Sequence, residues 1–87
     1  MSETINPIKY LREAVNSSIY VKLKDGSEYL GILRITDNTM NLILDETVEV
    51  KGGKTRVAKI GRALIRGSMI QYVSFNPDIA AEQALTG

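Results

Sequence analysis

Between Val50 and Pro77 the chain carries Lys51, Lys54, Arg56, Lys59, Arg62 and Arg66 and no acidic residue, while Asp45, Glu46 and Glu49 crowd just ahead of that stretch. Cations segregated in this way suit an anionic partner, and they equally suit a solvated strand face. Two short clusters offer finer chemistry. Asp37, Asn38, Thr39 and Asn41 bring side-chain donors and acceptors to one turn, and Arg66-Gly67-Ser68 sets a guanidinium, a glycine and a hydroxyl in succession. Taken singly, the first cluster is ordinary turn chemistry and Arg66 a solvated loop charge. Catalysis finds little to work with. Histidine and cysteine are both absent, so no Ser-His-Asp or Cys-His arrangement exists, no disulfide forms, and the commonest zinc ligands are missing. Asp37, Asp45, Glu46 and Glu49 could be combined as metal ligands or general acids, but a charged strand face explains them more simply. The expectation is a chain that is not an enzyme and uses no metal or cofactor.

The chain has 87 residues and a formal charge of +1 from 11 basic and 10 acidic side chains. That is room for one small domain, whose area burial barely exceeds the entropy of ordering it. Such domains look for staples, and with disulfides and thiol-ligated metals excluded the one left is oligomerisation. No apolar run approaches the roughly 18–20 residues of a transmembrane helix, and the first six residues lack the plan of a signal peptide. The expectation is a soluble, cytoplasmic protein without a membrane partner.

The elements that must position these clusters follow from periodicity. Residues 1–6 are polar and read as a flexible N-terminus. Asn6-Pro7 reads as an N-cap followed by proline at the first helical position, and Ile8, Leu11 and Val15 recur at helical spacing, so 7–16 is a short amphipathic helix. From Ile19 the period becomes two: Ile19, Val21 and Leu23 face one way, Tyr20, Lys22 and Lys24 the other. Asp25-Gly26 is a hairpin signal. A second strand runs over 27–36 with Gly31 inside it, a glycine that marks a bend or a close backbone approach. After the turn at 36–39, strands are predicted over 40–50 and 55–65, joined at Gly52-Gly53, and a fifth over 69–75 after Arg66-Gly67-Ser68. Pro77 ends it, and an Ala-rich tail over 76–87 lies outside the domain. The aromatics Tyr10, Tyr20, Tyr29, Tyr72 and Phe75 are expected in the core or at an interface.

One helix followed by five strands on short connections predicts an all-β domain: an antiparallel meander of five strands, strongly bent into a small open barrel. An open barrel leaves two unpaired edges, and these edge strands contain no proline to blunt them. Pairing different edges head to tail makes a closed ring when the rotation closes.

Two segments carry a resemblance that periodicity alone does not supply. The run 31–44 begins at Gly31, alternates apolar residues up to Asp37, and enters an apolar strand through Met40-Asn41. It resembles the first Sm motif. The run 63–70 places Ile65-Arg66-Gly67 before an apolar strand, and it resembles the second. Both in order, after a short helix, make 7–75 similar to the Sm-like (LSm) family, in particular its archaeal members.

That resemblance implies a ring of identical subunits, a heptamer in most archaeal cases, in which the fourth strand of one subunit pairs with the fifth of the next. It implies a pocket at the rim of the central hole for one base of single-stranded, U-rich RNA, with RNA-processing proteins as further partners. Asn41 would offer an amide donor and a carbonyl acceptor to a uracil edge. Arg66 would stack its guanidinium on the base and attract phosphate, Gly67 would let the backbone approach closely, and Asp37 would support the loop rather than touch RNA. Thr39 stands where the family often has histidine or an aromatic, and stacking on such a ring is worth about 1–3 kcal/mol per base. Ser68 replaces an acidic or amide residue common after Arg-Gly. Both are included among the RNA-contacting residues, and Thr39 keeps a second expectation open, a ring that works mainly as a protein scaffold. A monomeric barrel of the SH3 or OB type is the remaining alternative.

Overall fold

A computed structural model describes residues 7–75 of the chain. The expectations for the flexible N-terminus and for the C-terminal tail fall outside the described residues. The order is helix α1 (Pro7–Glu13), strands β1 (Ser18–Leu23), β2 (Glu28–Thr36), β3 (Leu42–Lys51) and β4 (Thr55–Ile65), a 3-10 turn (Gly67–Met69) and β5 (Ile70–Ser74). All five strands form one antiparallel sheet in the order β4-β3-β2-β1-β5: β1 to β4 follow one another as a meander, but β5 returns to pair with β1 instead of β4, because the bent sheet brings the β1 edge round to it. No helix among the described residues is long and apolar enough to cross a membrane.

α1 stops at Glu13, three residues short of the predicted end. The chain turns at Asn16, whose φ of 73° lies in the left-handed region. Asparagine tolerates that region and is used to end helices. The Asn16 N–H donates to the Leu33 carbonyl at 2.6 Å, which fastens the end of the helix segment to β2. Of the apolar stripe, Leu11 is fully buried and Val15 packs on the core it joins. A seven-residue helix is unstable alone, so this docking is what sustains it.

The predicted alternation on β1 holds for direction and understates burial. Ile19 and Val21 enter the main core with Leu11, Leu33, Leu42, Leu44, Ile65 and Ile70. Tyr20, on the opposite face of β1, is buried too, in a second cluster with Leu30, Val48 and Val50. Two faces of one sheet can both be covered because the strands bend hard. Gly31 sits at the bend: a Cβ there would lie 3.0 Å from Thr47 Oγ1 and 3.2 Å from both the Asp45 carbonyl and Leu44 Cβ. Facing it, the β3 register slips, with Glu46 at φ 53° and Gly61 on β4 at φ 84°. These are β-bulges, which add twist and turn a sheet into a barrel.

β3 begins at Leu42 rather than at residue 40, because Met40 has a φ of 66° and still belongs to the turn. β5 begins one residue late, since residues 67–69 complete the 3-10 turn closed by Met69 N–H to the Arg66 carbonyl at 2.9 Å. β4 and β5 are the two edges of the sheet. β4 is exposed along almost its whole length, with Leu64 at 71%, Val57 at 52% and Ile60 at 42%. The aromatics divide: Tyr20 is buried and Tyr29 half-buried, whereas Tyr10, Tyr72 and Phe75 are exposed.

Candidate nucleic-acid interface

The loop between β2 and β3 is built by one carboxylate. Asp37 Oδ1 accepts from the Thr39 N–H at 2.9 Å, the Thr39 hydroxyl at 2.7 Å and the Asn41 N–H at 3.1 Å. Its Oδ2 accepts from Asn41 Nδ2 at 3.1 Å. Hydrogen bonds to a charged acceptor favour the charged form, and the Thr39 hydroxyl above all, with the Asn41 N–H next, holds the Asp37 carboxyl down at about 2. The Met40 N–H closes the turn on the Asp37 carbonyl at 3.0 Å. On the outer side, the Arg12 guanidinium of α1 donates to the Asn38 side-chain carbonyl and ties the helix to the loop.

Asn41 joins this loop to the one before β5. Its Oδ1 accepts the Gly67 N–H at 2.8 Å, and its Nδ2 donates to Thr39 Oγ1 at 2.9 Å. The contact is close. A Cβ on Gly67 would fall 2.0 Å from the Thr39 carbonyl oxygen and 2.9 Å from the Met40 carbonyl carbon. The backbone that Gly67 admits is therefore the Thr39–Met40 peptide of its own chain, two loops touching through a missing side chain. Asp37, Thr39, Asn41 and Gly67 thus form one unit, with Arg66 and Ser68 exposed on either side of Gly67. Arg66 makes no ion pair among the described residues and borders a groove of about 270 Å³ with Leu23, Tyr29, Ile60, Leu64 and Met69.

Two features escape a reading of the sequence. The first is how fully Asn41 is engaged: the expectation gave it both a donor and an acceptor to offer, whereas both Nδ2 hydrogens have partners within the loop. The spacing Asp37, Thr39, Asn41 was the available signal, since short side chains at i+2 and i+4 from an aspartate fall back on its carboxylate. The second is a three-strand ion cluster. Asp45 on β3 accepts from Arg34 Nε on β2 at 2.9 Å and from Arg62 Nε on β4 at 2.8 Å, and Arg34 also donates to Asn16 Oδ1 at 2.9 Å. Arg62, then Arg34, holds the Asp45 carboxyl down at about 2. Arg56 and Lys59 line, together with these three residues, a groove of about 570 Å³ that also borders Glu46 and Gly61. Thus Asp45, one of the acids considered as a metal ligand, is taken up by guanidinium groups, and the six cations of the basic stretch are all exposed.

A family model, described as LSM domain, matches residues 9–75. An snRNP Sm-like protein of Methanococcoides burtonii is 46% identical over 68 residues, covering 78% of this chain and 93% of its own. Among solved structures, the Sm protein of Pyrococcus abyssii in complex with a uridine heptamer superposes with a TM-score of 0.73 at 26% identity, covering 80% of this chain and 97% of that one. A heptameric archaeal Sm protein does so with a TM-score of 0.68 at 33% identity, covering 76% and 94%.

Proposed function

This chain belongs to the LSM domain family, and on that premise we propose that it assembles into a homo-oligomeric ring, a heptamer, that binds U-rich single-stranded RNA. The observation that carries the proposal is the hydrogen bond from the Gly67 N–H to Asn41 Oδ1, 2.8 Å, which sets the two motif loops side by side. Each subunit then offers one base a pocket with Asn41 at its edge, Arg66 beside it, and Thr39 and Ser68 flanking. Asp37 acts through Asn41 and contacts no RNA. The guanidinium of Arg66 supplies a flat surface for the base and a charge for its phosphate. Repetition around a ring raises the effective concentration of every site after the first.

Assembly has a physical motive in the edges. An exposed β4 bearing Val57, Ile60 and Leu64 is a row of unpaired backbone groups flanked by apolar side chains, and pairing it with β5 of a neighbour covers both. The structure of a uridine-bound archaeal Sm protein with this fold supports the choice of ligand. RNA processing or turnover in the cytoplasm, alongside processing proteins, is the role we assign to such a ring. Its chemistry is binding and not catalysis.

A fluorescent oligo(U), titrated beside oligo(A) at two salt concentrations, tests the pocket. Selective oligo(U) binding that falls in Asn41→Ala is expected, and Arg66→Ala should also lower the salt slope by about 0.7 per site engaged. Equal binding of the two oligonucleotides, untouched by Asn41→Ala, would overturn it. A second reading, a scaffold ring for other proteins, is favoured by one specific observation, the absence of a stacking plane at Thr39. Light scattering separates both rings from a monomer of 9.6 kDa.

A further inference from the structure

Asn41 is held in one orientation, and that orientation leaves it an acceptor but no donor. The Gly67 N–H lies 2.8 Å from one terminal atom of the amide. A donor faces only an acceptor, so that atom is Oδ1 and Nδ2 is on the other side. There its two hydrogens meet Asp37 Oδ2 at 3.1 Å and Thr39 Oγ1 at 2.9 Å. Thr39 Oγ1 is able to accept because its own proton goes to Asp37 Oδ1 at 2.7 Å, and an ionised carboxylate does nothing but accept. Every bond in the set therefore has a single direction. The group left over is the second lone pair of Asn41 Oδ1.

We propose that Thr39 is a specificity-determining residue: by taking an amide hydrogen of Asn41 it makes the pocket a reader of one N–H donor, so that cytosine is accepted beside uracil. The inference rests on the reading above that Asn41 faces a base. Uracil presents the acceptor O4 next to the donor N3–H, and cytosine presents the donor N4–H₂ next to the acceptor N3. A fixed amide with both functions available satisfies both uracil groups and sets donor against donor with cytosine. An amide reduced to its oxygen takes the N3–H of uracil or an N4–H of cytosine alike. Purines stand outside the comparison, because size separates them as well.

Thr39→Val keeps the branched shape and removes the hydroxyl, while Thr39→Ser keeps the hydroxyl. Oligo(U) and oligo(C) of equal length would be titrated by fluorescence anisotropy against the assembled full-length protein and both variants, at one salt concentration. The unmutated protein and Thr39→Ser should bind U and C within a few-fold of each other. Thr39→Val should raise the ratio for U over C by about 2–10-fold per site, the worth of one regained hydrogen bond. A strong U preference in the unmutated protein that Thr39→Val leaves unchanged would overturn the inference, as would loss of U binding in that variant. In either case the pocket stands if Asn41→Ala still weakens oligo(U). If the unmutated protein binds neither oligonucleotide, the pocket reading itself fails and this inference with it.

Discussion

Two carboxylates in this molecule each build a loop, one in the open and one in the interior. Asp37 is exposed, and the groups it holds belong to residues two and four positions along the chain. Glu28 is only 7% exposed, and its partners come from afar. Its Oε1 accepts from the Tyr20 hydroxyl at 2.6 Å and the Gly53 N–H at 2.7 Å, and its Oε2 from the Gly52 N–H at 2.9 Å. Burial pushes the Glu28 carboxyl up, but the Tyr20 hydroxyl, the two glycine N–H groups and Lys22 outweigh it and leave the group below its ordinary value. The same burial, with Glu28 beside it, drives the Tyr20 hydroxyl far up. Tyr20 in turn lies against Tyr72 on the β5 edge, ring centres 6.0 Å apart. One carboxylate therefore shapes the β2–β3 loop at little cost to the fold, whereas the other couples the β3–β4 hairpin to β1 and, through it, to β5.

The sharpest way to break that contrast is Glu28→Ala. It strands the Tyr20 hydroxyl and the N–H groups of Gly52 and Gly53, and the expected loss is about 2–3 kcal/mol, read as a lower urea midpoint. A loss no greater than that of an ordinary surface substitution would show that water replaces the carboxylate, and the comparison would collapse. Gly67→Ala comes next. Its Cβ has no space beside the Thr39 carbonyl, so the two loops must part at a cost of about 1–3 kcal/mol, with oligo(U) affinity falling in parallel.

Asp37→Ala sharpens the comparison from the other side. The urea midpoint should barely move, while oligo(U) affinity falls by about 2–10-fold per site because Asn41 must then be ordered on binding. A pH titration gives the smallest effect. A carboxyl held at about 2 in the fold and near 3.8 when unfolded gives this exposed loop only a small, solvent-screened share of stability, present above 3.8 and lost as pH falls toward 2. The Thr39 and Asn41 amide resonances should accordingly shift between pH 4 and 2 and stay constant above 5. Movement centred near 4 would mean that the loop bonds do not hold in solution.

The contrast also explains what could be read beforehand. Bonds made within four residues belong to local chain geometry, so the turn at Asp37 was visible as turn chemistry. Bonds across 24 or 25 residues were not, since Glu28 begins its strand like any surface acid. The apolar spacing overextends the helix for the same reason. Ala14 and Val15 continue the apolar spacing, but the contact of Asn16 with Leu33 decides where the helix gives way. Alternation sets Tyr20 on the face opposite Ile19 and Val21, and its aromatic ring suits a core or an interface, but only the fold shows that Leu30, Val48 and Val50 are what cover it.

By itself, the sequence determined the element order, the lack of any histidine or cysteine chemistry, and the residues of the two motifs. Those properties depend on residue type and on spacing within a few positions. The tertiary structure alone decided that Gly67 makes room for another loop of its own chain, that Asp45 lies between Arg34 and Arg62, and that Asn41 has no donor left to give. Each of these depends on the direction and distance of groups that come together only when the sheet curls, and no local pattern carries that information.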